Sequence, residues 1–288
     1  MKSKRVSNLV FISVVLIAII SLTFAFGISA GISGRLNAAD AAWEGDGAGT
    51  SEDPYLIATK EDLLNFRELV NGIYNGSTYE GQNVDVCAKL IEDIDFEGDN
   101  SVSWAVAMIA WDSAYPYAGT FDGNGHTISG LHMNYNVQPN LALFGYTGSE
   151  AVIKDLTVVG DANCSSGAGI VVQNSGQILR CVNRVELYCE GLGLVGGIVK
   201  DNNSTGSIIG CVNEATVKGK STRYQAPNAF VGGIASVNEG TITDCINNGV
   251  IMFVENHNTN SYIGGIAGRN YGEISYCVNN NTVCVEFT

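Results

Sequence analysis

The stretch VGGIASVNEGTITDCIN, residues 231–247, decides the fold of this chain because related copies of it recur through the C-terminal half. Each copy opens with Gly-Ile or Gly-Gly-Ile, passes through a polar turn, and ends in Ile-x-x-Cys-x-Asn. A further β-prone run closes each unit of roughly thirty residues. Such a period is typical of a solenoid in which each repeat stacks on its neighbours.

The repeat occurs four times, and its key positions can be aligned one by one. The shared positions are the isoleucines Ile178, Ile208, Ile242 and Ile274, the cysteines Cys181, Cys211, Cys245 and Cys277, and the glycines Gly169, Gly197, Gly233 and Gly265. Because parallel stacking places like residues above like, we expect the Ile and Cys side chains to form internal ladders. Gly is expected to supply tight corners and left-handed turn geometry, and the corner Asn to bond its own backbone or to stack.

A degraded form of the pattern extends upstream. Leu stands where the later copies have Cys, and Phe-Gly stands where they have Gly-Ile; the segments are 153–156, 128–131 and 144–145. Residues 91–96 are predicted to supply a still earlier strand. The sequence thus predicts degenerate coils over 85–166 and four regular repeats over 167–288, together a single-stranded parallel β-helix of the all-β class.

Residues 42–84 read as a lead-in followed by a helix. Thr59 and Asp62 resemble a capping box, although Asp replaces the usual Glu or Gln. Apolar residues then recur at helical spacing, at Leu63, Phe66, Leu69, Val70 and Ile73. We expect this helix to cover the N-terminal end of the solenoid, which would otherwise expose unpaired backbone.

The first 41 residues have the pattern of an export segment. Lys2, Lys4 and Arg5 precede an uncharged apolar run over 9–28. The small residues Ala39 and Ala41 would suit a signal peptidase, but the run is also long enough to span a bilayer. The segment is therefore either a signal peptide that is cleaved or a membrane anchor that is retained. Both interpretations place the body of the chain outside the cytoplasm.

The composition limits the function classes. The chain has 288 residues with 35 Gly, 4 Pro, 45% hydrophobic and 15% charged residues, which indicates a packed core and not a disordered chain. Its net charge of -14 speaks against nucleic acid and against anionic membrane surfaces as partners. The only predicted membrane contact is through the N-terminal segment.

Candidate catalytic and metal-binding residues are few. The sequence Asp122-Gly-Asn124-Gly-His126 also occurs in glycan-cleaving β-helices, but such enzymes need paired carboxylates, and we interpret this segment as a tight corner. The carboxylates Asp85, Asp93, Asp95 and Asp122 are scattered in sequence. Asp93, Asp95 and Asp99 lack the alternation of a calcium loop. We therefore predict no catalytic residue, no metal site and no cofactor.

The eight cysteines allow two interpretations. Stacked ladder cysteines would lie at the lower limit of disulfide reach, and export permits oxidation. Their side chains should nevertheless point the same way, and Leu fills the position in earlier coils, which favours a reduced, buried ladder. Zinc is disfavoured because no Cys-x-x-Cys pair occurs. Four cysteines have no predicted role: Cys87, Cys164, Cys189 and Cys284.

Several segments resemble a known family. The openings at 47–57, 90–95 and 119–128 resemble those of bacterial surface proteins, and the units typified by 231–245 are similar to the GLUG repeat. That repeat occurs in bacterial cell-surface proteins and in non-catalytic regions of IgA-specific metallopeptidases. The resemblance covers roughly 43–287 and implies a right-handed, pectin-lyase-like β-helix with a role in surface display or adhesion. It carries over no catalytic residue, since the chain has no His-Glu-x-x-His motif.

We therefore expect a non-enzymatic, adhesin-like module, secreted or attached to the cell surface, that binds host or cell-surface proteins or glycans. Insert loops at 222–228 and 256–261 are the expected contact regions. The alternatives are a glycan-active lyase or hydrolase on the same fold and a mechanical spacer. The final coil, 283–288, carries no capping helix. We expect either self-association through this coil or that the chain is a shortened relative of longer surface proteins.

Overall fold

The computed structural model describes residues 43, 45–74, 79–97, 108–134, 140–222, 228–255 and 261–287. The expected export segment and Asp99 lie outside them. The chain divides into a large unit, Trp43–Gly72 with Gln82–Thr288, and a second unit of Met1–Ala42 with Ile73–Gly81. In the second unit the described part is an antiparallel pair of short strands. Among the described residues, no helix is both long and apolar enough to cross a membrane.

The described elements are almost all short strands. In chain order they are β1 (Tyr55–Ile57), α1 (Lys60–Asn71), β2 (Ile73–Tyr74), β3 (Tyr79–Glu80), β4 (Ala88–Leu90), β5 (Ile94–Asp95), β6 (Thr120–Asp122), β7 (Thr127–Asn134), β8 (Asn140–Leu141), β9 (Phe144–Tyr146), β10 (Val152–Lys154), β11 (Thr157–Ala168), β12 (Val171–Asn174), β13 (Gln177–Leu179), β14 (Val182–Gly196), β15 (Val199–Asn202), β16 (Ser207–Ile209), β17 (Val212–Asn213), β18 (Val217–Ser221), β19 (Ala229–Gly232), β20 (Ala235–Asn238), β21 (Thr241–Thr243), β22 (Ile246–Asn247), β23 (Ile251–Glu255), β24 (Ser261–Gly264), β25 (Ala267–Asn270), β26 (Glu273–Ser275), β27 (Val278–Asn279) and β28 (Val283–Phe287).

Three parallel sheets form the large unit. Sheet A has eight strands in the order β1-β4-β6-β10-β13-β16-β21-β26, and sheet C has five in the order β25-β20-β15-β12-β9. Sheet B has thirteen strands, with β27-β22-β17-β14-β11-β7-β5 as its main path and β8, β18, β19, β23, β24 and β28 beside it. From β9 onward, the chain passes from sheet C to sheet A to sheet B in each successive coil. This confirms the prediction of an all-β parallel solenoid with one short helix.

The repeat isoleucines form a ladder in sheet A. Ile178 pairs with Ile208, Ile208 with Ile242, and Ile242 with Ile274, while Ile153 lies above Ile178. All except Ile274 are fully buried. Burying such a side chain stabilises the fold by about 1.5–3 kcal/mol. Identical residues therefore mark the register wherever the repeat is regular.

The register of the upstream coils differs from the prediction. Ile153 pairs with Phe121, whereas Ile128 pairs with Val158 one strand further along the turn. The cause is a longer corner: five residues, 122–126, separate Phe121 from the next sheet, against three, 154–156, in the following coil. The interpretation of 128–131 as an Ile-x-x-Leu copy was therefore wrong.

A similar offset affects Phe144. It pairs with Val171, so the residue that matches Ile170 is Leu143 and not Gly145. All four apolar side chains are fully buried. A large apolar residue can serve at either strand position, which is why the pattern was misaligned here.

Helix α1 packs against the N-terminal end of the core. The capping box is present: the Asp62 N–H donates to Thr59 Oγ1 at 3.1 Å, and the Thr59 N–H donates to Asp62 Oδ2 at 2.9 Å. Phe66 is fully buried, with its ring centroid 5.6 Å from that of Phe121 and 6.2 Å from that of Tyr117. The helix ends at Asn71, so the prediction that Ile73 belongs to it was wrong.

Candidate ligand-binding surface

The cysteine ladder lies at the corner between sheets A and B. Cys181, Cys211 and Cys245 are fully buried, Cys277 is half-buried, and all four are free thiols. The backbone N–H of each of the first three donates to the Sγ of the next at 3.4 Å. The sulfurs of Cys211, Cys245 and Cys277 therefore each accept a corner N–H that no strand partner satisfies. Burial raises the pKa of the Cys211 thiol well above its usual range, which keeps it protonated.

The residue before each ladder position has a left-handed backbone. Asp155, Arg180, Asp244 and Tyr276 have φ values between 51° and 55°, and Gly210 has φ 64°. Glycine therefore supplies this geometry in only one of these corners, which differs from the prediction. For the other residues the conformation costs roughly 1–2 kcal/mol, a strain offset by the packed corner beside it.

Asparagines form two further ladders. At the corner within sheet B, Asn183 donates to Asn213 and Asn213 to Asn247 at 2.7 Å, and Asn247 donates to Asn279 at 2.6 Å. Three of these side chains are fully buried. The Asn213 amide also donates to Ala215 O at 2.9 Å, so backbone bonding and stacking occur together.

The second asparagine ladder follows the turn between sheets C and A. Asn174 donates to Asn202 at 2.9 Å, Asn202 to Asn238 at 2.7 Å, and Asn238 to Asn270 at 2.7 Å. A buried amide chain of this kind stabilises the fold only when every donor and acceptor is paired. It therefore ties each coil to the register of the next.

The repeat glycines leave space for the asparagine side chains of the first ladder. A Cβ atom at Gly169 would overlap Asn183, and one at Gly197, Gly233 or Gly265 would collide with the asparagine of its own coil. None of these four glycines has positive φ. The expectation that they supply left-handed turns was wrong, because the position needs space and not backbone freedom.

Two of the unassigned cysteines form a disulfide. Cys164 in β11 pairs in register with Cys189 in β14, with Cα atoms 4.6 Å apart, and the bond joins neighbouring coils. Sequence reasoning missed it. The available signal was their separation of 25 residues, which equals the step between Leu156 and Cys181 in the same two coils.

The Asp122 segment is a corner between β6 and β7. Asp122 Oδ1 accepts the Asn124 N–H at 2.8 Å, and Asp122 Oδ2 lies 2.9 Å from Lys154 Nζ. Asn124 has φ 51°. Both carboxylate oxygens are thus held by groups that shape the corner and join it to the next coil.

The neighbouring acidic residues also have local partners. Asp93 Oδ1 accepts the Thr127 N–H at 2.9 Å and lies 3.1 Å from His126 Nδ1. These hydrogen bonds, that from Thr127 above all, lower the pKa of Asp93. Asp95 Oδ1 accepts the Glu97 N–H at 2.9 Å. In the part of the chain that the structure describes, no group of three or more His, Cys, Asp or Glu side chains is placed to hold a metal ion.

Charged side chains on the lateral faces pair between coils. The Arg180 guanidinium binds both Asp155 oxygens, at 2.6 and 2.7 Å, and this lowers the pKa of Asp155. Lys220 Nζ lies 2.8 Å from Glu190 Oε1. Most described cations of the repeats are therefore already matched by a carboxylate.

Among the described residues of the repeats, one group of aromatic and basic side chains has no such match. Phe230, Tyr262, Arg269 and Tyr271, here called the aromatic–arginine strip, lie on neighbouring coils where sheets B and C meet. The Phe230 and Tyr262 ring centroids are 5.5 Å apart. The Arg269 Cζ lies 5.2 Å from the Phe230 centroid and 4.4 Å from that of Tyr271. Tyr262 is 48% exposed and Tyr271 59%.

Sequence reasoning did not find the strip. It placed the contacts in the insert loops instead, and residues 223–227 and 256–260 lie outside those described. The available signal was that Phe230 and Tyr262 precede their Gly-Gly-Ile blocks at the same distance. In the final coil, Tyr276 is 84% and Phe287 80% exposed, and self-association through this coil stays a prediction.

Comparison with known proteins supports the fold. No known family model matches the chain. It is 30% identical over 169 residues to the "Putative Gly-rich membrane protein" of Evansella cellulosilytica, covering 59% of this chain and 17% of that protein. It is 32% identical over 112 residues to "Halomucin" of Haloquadratum walsbyi, covering 39% of this chain and 1% of that one. The chain thus spans less than a fifth of either relative.

A solved structure shares the architecture. The crystal structure of a "putative immunoglobulin A1 protease" from Bacteroides ovatus matches 86% of this chain and 82% of its own, with a TM-score of 0.57 and 18% identity. At that identity the match shows the fold alone. It adds a second instance of this solenoid and assigns no activity to it.

Proposed function

We propose that this chain is an exported, non-enzymatic solenoid of GLUG-type repeats, wound as a right-handed β-helix, that binds ligands at the cell surface in the manner of an adhesin. The observation that carries the proposal is that the carboxylate of Asp122 is already bound by other groups of the chain. Both of its oxygens are occupied by the Asn124 N–H and by Lys154, which leaves it a structural role. A glycosidase would instead need two carboxylates facing a substrate.

Export is supported by two independent features. The N-terminal 41 residues have the charge and hydropathy pattern of a signal or anchor. The Cys164–Cys189 disulfide suits an oxidising compartment outside the cytoplasm. The name of the Evansella relative, which calls it a membrane protein, agrees with a surface association.

Binding is favoured over a purely mechanical role by what the lateral surface exposes. The interior side chains stack on their own equivalents, and most lateral charges pair between coils. The aromatic–arginine strip differs because two of its rings, those of Tyr262 and Tyr271, are about half exposed. Exposed aromatic rings beside an arginine are enriched at binding sites.

The test applies the full chain to arrays of glycans and of host matrix proteins, with a parallel assay for released sugar fragments. We expect binding without release of fragments. Fragment release that Asp122→Ala abolishes would replace the proposal with a glycan-cleaving enzyme. Absence of binding on both arrays would leave only a mechanical role.

A further inference from the structure

We infer that the aromatic–arginine strip binds an acidic glycan, with Arg269 pairing the carboxylate of one sugar and the tyrosines contacting the sugar rings. The inference rests on the proposed binding function and names the ligand class. It begins from the geometry of Arg269. Its guanidinium carbon lies 5.2 Å from the Phe230 centroid and 4.4 Å from the Tyr271 centroid, so two aromatic rings are within cation–π distance of it.

Aromatic rings do not replace a carboxylate as hydrogen-bond acceptors, so the N–H donors of the guanidinium remain for a ligand. These donors lie in the plane of the group, and the neighbouring rings restrict its rotation. Within the described residues, no carboxylate lies within ion-pair distance of Arg269. A fixed guanidinium with in-plane donors matches the two oxygens of a carboxylate.

The other cations of the repeats show that Arg269 is different. Their partners are carboxylates on the same coil or on a coil one or two steps away, as in the pairs Arg180–Asp155, Arg184–Glu214, Lys200–Asp201, Lys218–Glu286 and Lys220–Glu190. The chain holds 29 acidic residues against 15 Lys and Arg. An arginine that takes aromatic neighbours instead, in so acidic a chain, is placed to pair with an acid from outside.

The flanking rings favour sugars over a peptide. Tyr262 and Tyr271 are about half exposed, and Phe230, at 9%, lies between Tyr262 and Arg269 as a floor. Phe230 lies in β19, Tyr262 lies in β24 on the next coil, and Tyr271 follows β25 on that same coil. Sugar rings present C–H faces that pack on exposed aromatic rings such as those of Tyr262 and Tyr271.

The experiment measures binding of the full chain to four carboxylate-bearing glycans, each beside its methyl ester: oligogalacturonate, hyaluronan fragments, sialyllactose and oligosialic acid. We expect at least one acid to bind, and its ester to bind about tenfold more weakly or worse. Arg269→Gln should cause the same loss, and Arg269→Lys should recover only part of it because lysine lacks the planar fork. Tyr271→Ala should also weaken binding.

Controls separate this site from general effects. Arg184→Gln removes an exposed arginine of equal charge that pairs with Glu214, and it should leave glycan binding unchanged. Circular dichroism and thermal unfolding of each variant report whether it folds. Polyglutamate serves as the acidic peptide probe; if it binds with the same dependence on Arg269, the glycan assignment is wrong.

The remaining outcomes are also decisive. If no acid binds better than its ester, or if Arg269→Gln binds as well as the unmodified chain, the inference falls. Binding to neutral glycans or matrix proteins that survives Arg269→Gln would keep the proposed function and reject this site. Absence of any binding would reject both.

Discussion

The backbone N–H of Cys181 donates to the Sγ atom of Cys211, 3.4 Å away on the next coil. The same sulfur lies 3.5 Å from Ile178 O and 3.6 Å from Ile209 O. One thiol thus satisfies a buried N–H and contacts two carbonyl groups. A leucine at this position fills the same core but has no atom that can accept the N–H.

Removing the Cys211 sulfur should destabilise the solenoid. Cys211→Ala leaves the buried Cys181 N–H without an acceptor and opens a small cavity, so we expect a loss of about 1–3 kcal/mol in the free energy of unfolding. Cys211→Ser keeps an acceptor and should lose less. Urea denaturation measures both. Cys284→Ala, outside the ladder, is the control, and an equal loss there would contradict a specific role for the ladder.

The asparagine ladder gives a sharper prediction. Asn213 accepts from Asn183 and donates to Asn247 and Ala215, so Asn213→Asp removes two donors and buries a charge. We expect a loss of about 3 kcal/mol or more, seen as a lower thermal midpoint. Asn280→Asp, which breaks one exposed bond, should cost under about 1 kcal/mol. Similar losses for the two variants would contradict the buried ladder.

The disulfide should contribute measurably to stability. Replacing both Cys164 and Cys189 with Ser opens a loop of 25 residues, and we expect a loss of about 3 kcal/mol in the free energy of unfolding. Reductant should lower the thermal midpoint of the unmodified chain but not that of the double variant. Detection of both cysteines as free thiols by mass spectrometry of the oxidised, secreted chain would refute the pairing.

The Asp155–Arg180 pair predicts a pH effect. The guanidinium lowers the pKa of Asp155 in the folded state, so the pair stabilises the fold above about pH 4, the usual Asp pKa, and this gain fades as pH falls through the lowered value. Asp155→Asn should therefore cost up to about 1 kcal/mol at pH 7, and the difference should close in acid. Asn also tolerates the left-handed backbone at this corner.

Asp244→Asn is the matched control for that experiment. Asp244 occupies the same corner with φ 55°, and in the described structure no ion pair involves it. Its substitution should leave stability nearly unchanged at both pH values. A loss at Asp155 that persists below pH 2 would show that the ion pair is not its cause.

The regular repeats could be aligned from sequence because identical residues occupy identical positions. Ile178 stacks on Ile208, an identical residue at the same position of the next coil. Because the corner that follows has the same length in each repeat, the next strands stay in register. The upstream coils could not be aligned in this way. Phe121 occupies the isoleucine position, and the corner after it is two residues longer than the corner after Ile153. The pattern of apolar residues alone does not record corner length.

The candidate surface was less accessible to sequence reasoning. Arg269 and Phe230 lie 39 residues apart in sequence, and only the winding of the chain brings the guanidinium over the ring. The Cys164–Cys189 bond has the same origin, since two coils must stack before the cysteines meet. Contacts between unlike residues on adjacent coils carry no repeat signal.

The two asparagine ladders make the interior coils interchangeable. Each coil offers the same donors on one face and the same acceptors on the other, so if a complete coil were deleted, Asn183 would meet Asn247 with its bonds intact. Duplication of a coil would likewise leave every amide paired. Recombination between repeats can therefore lengthen or shorten this molecule in whole coils, and the size of such a protein can drift while its cross-section stays constant.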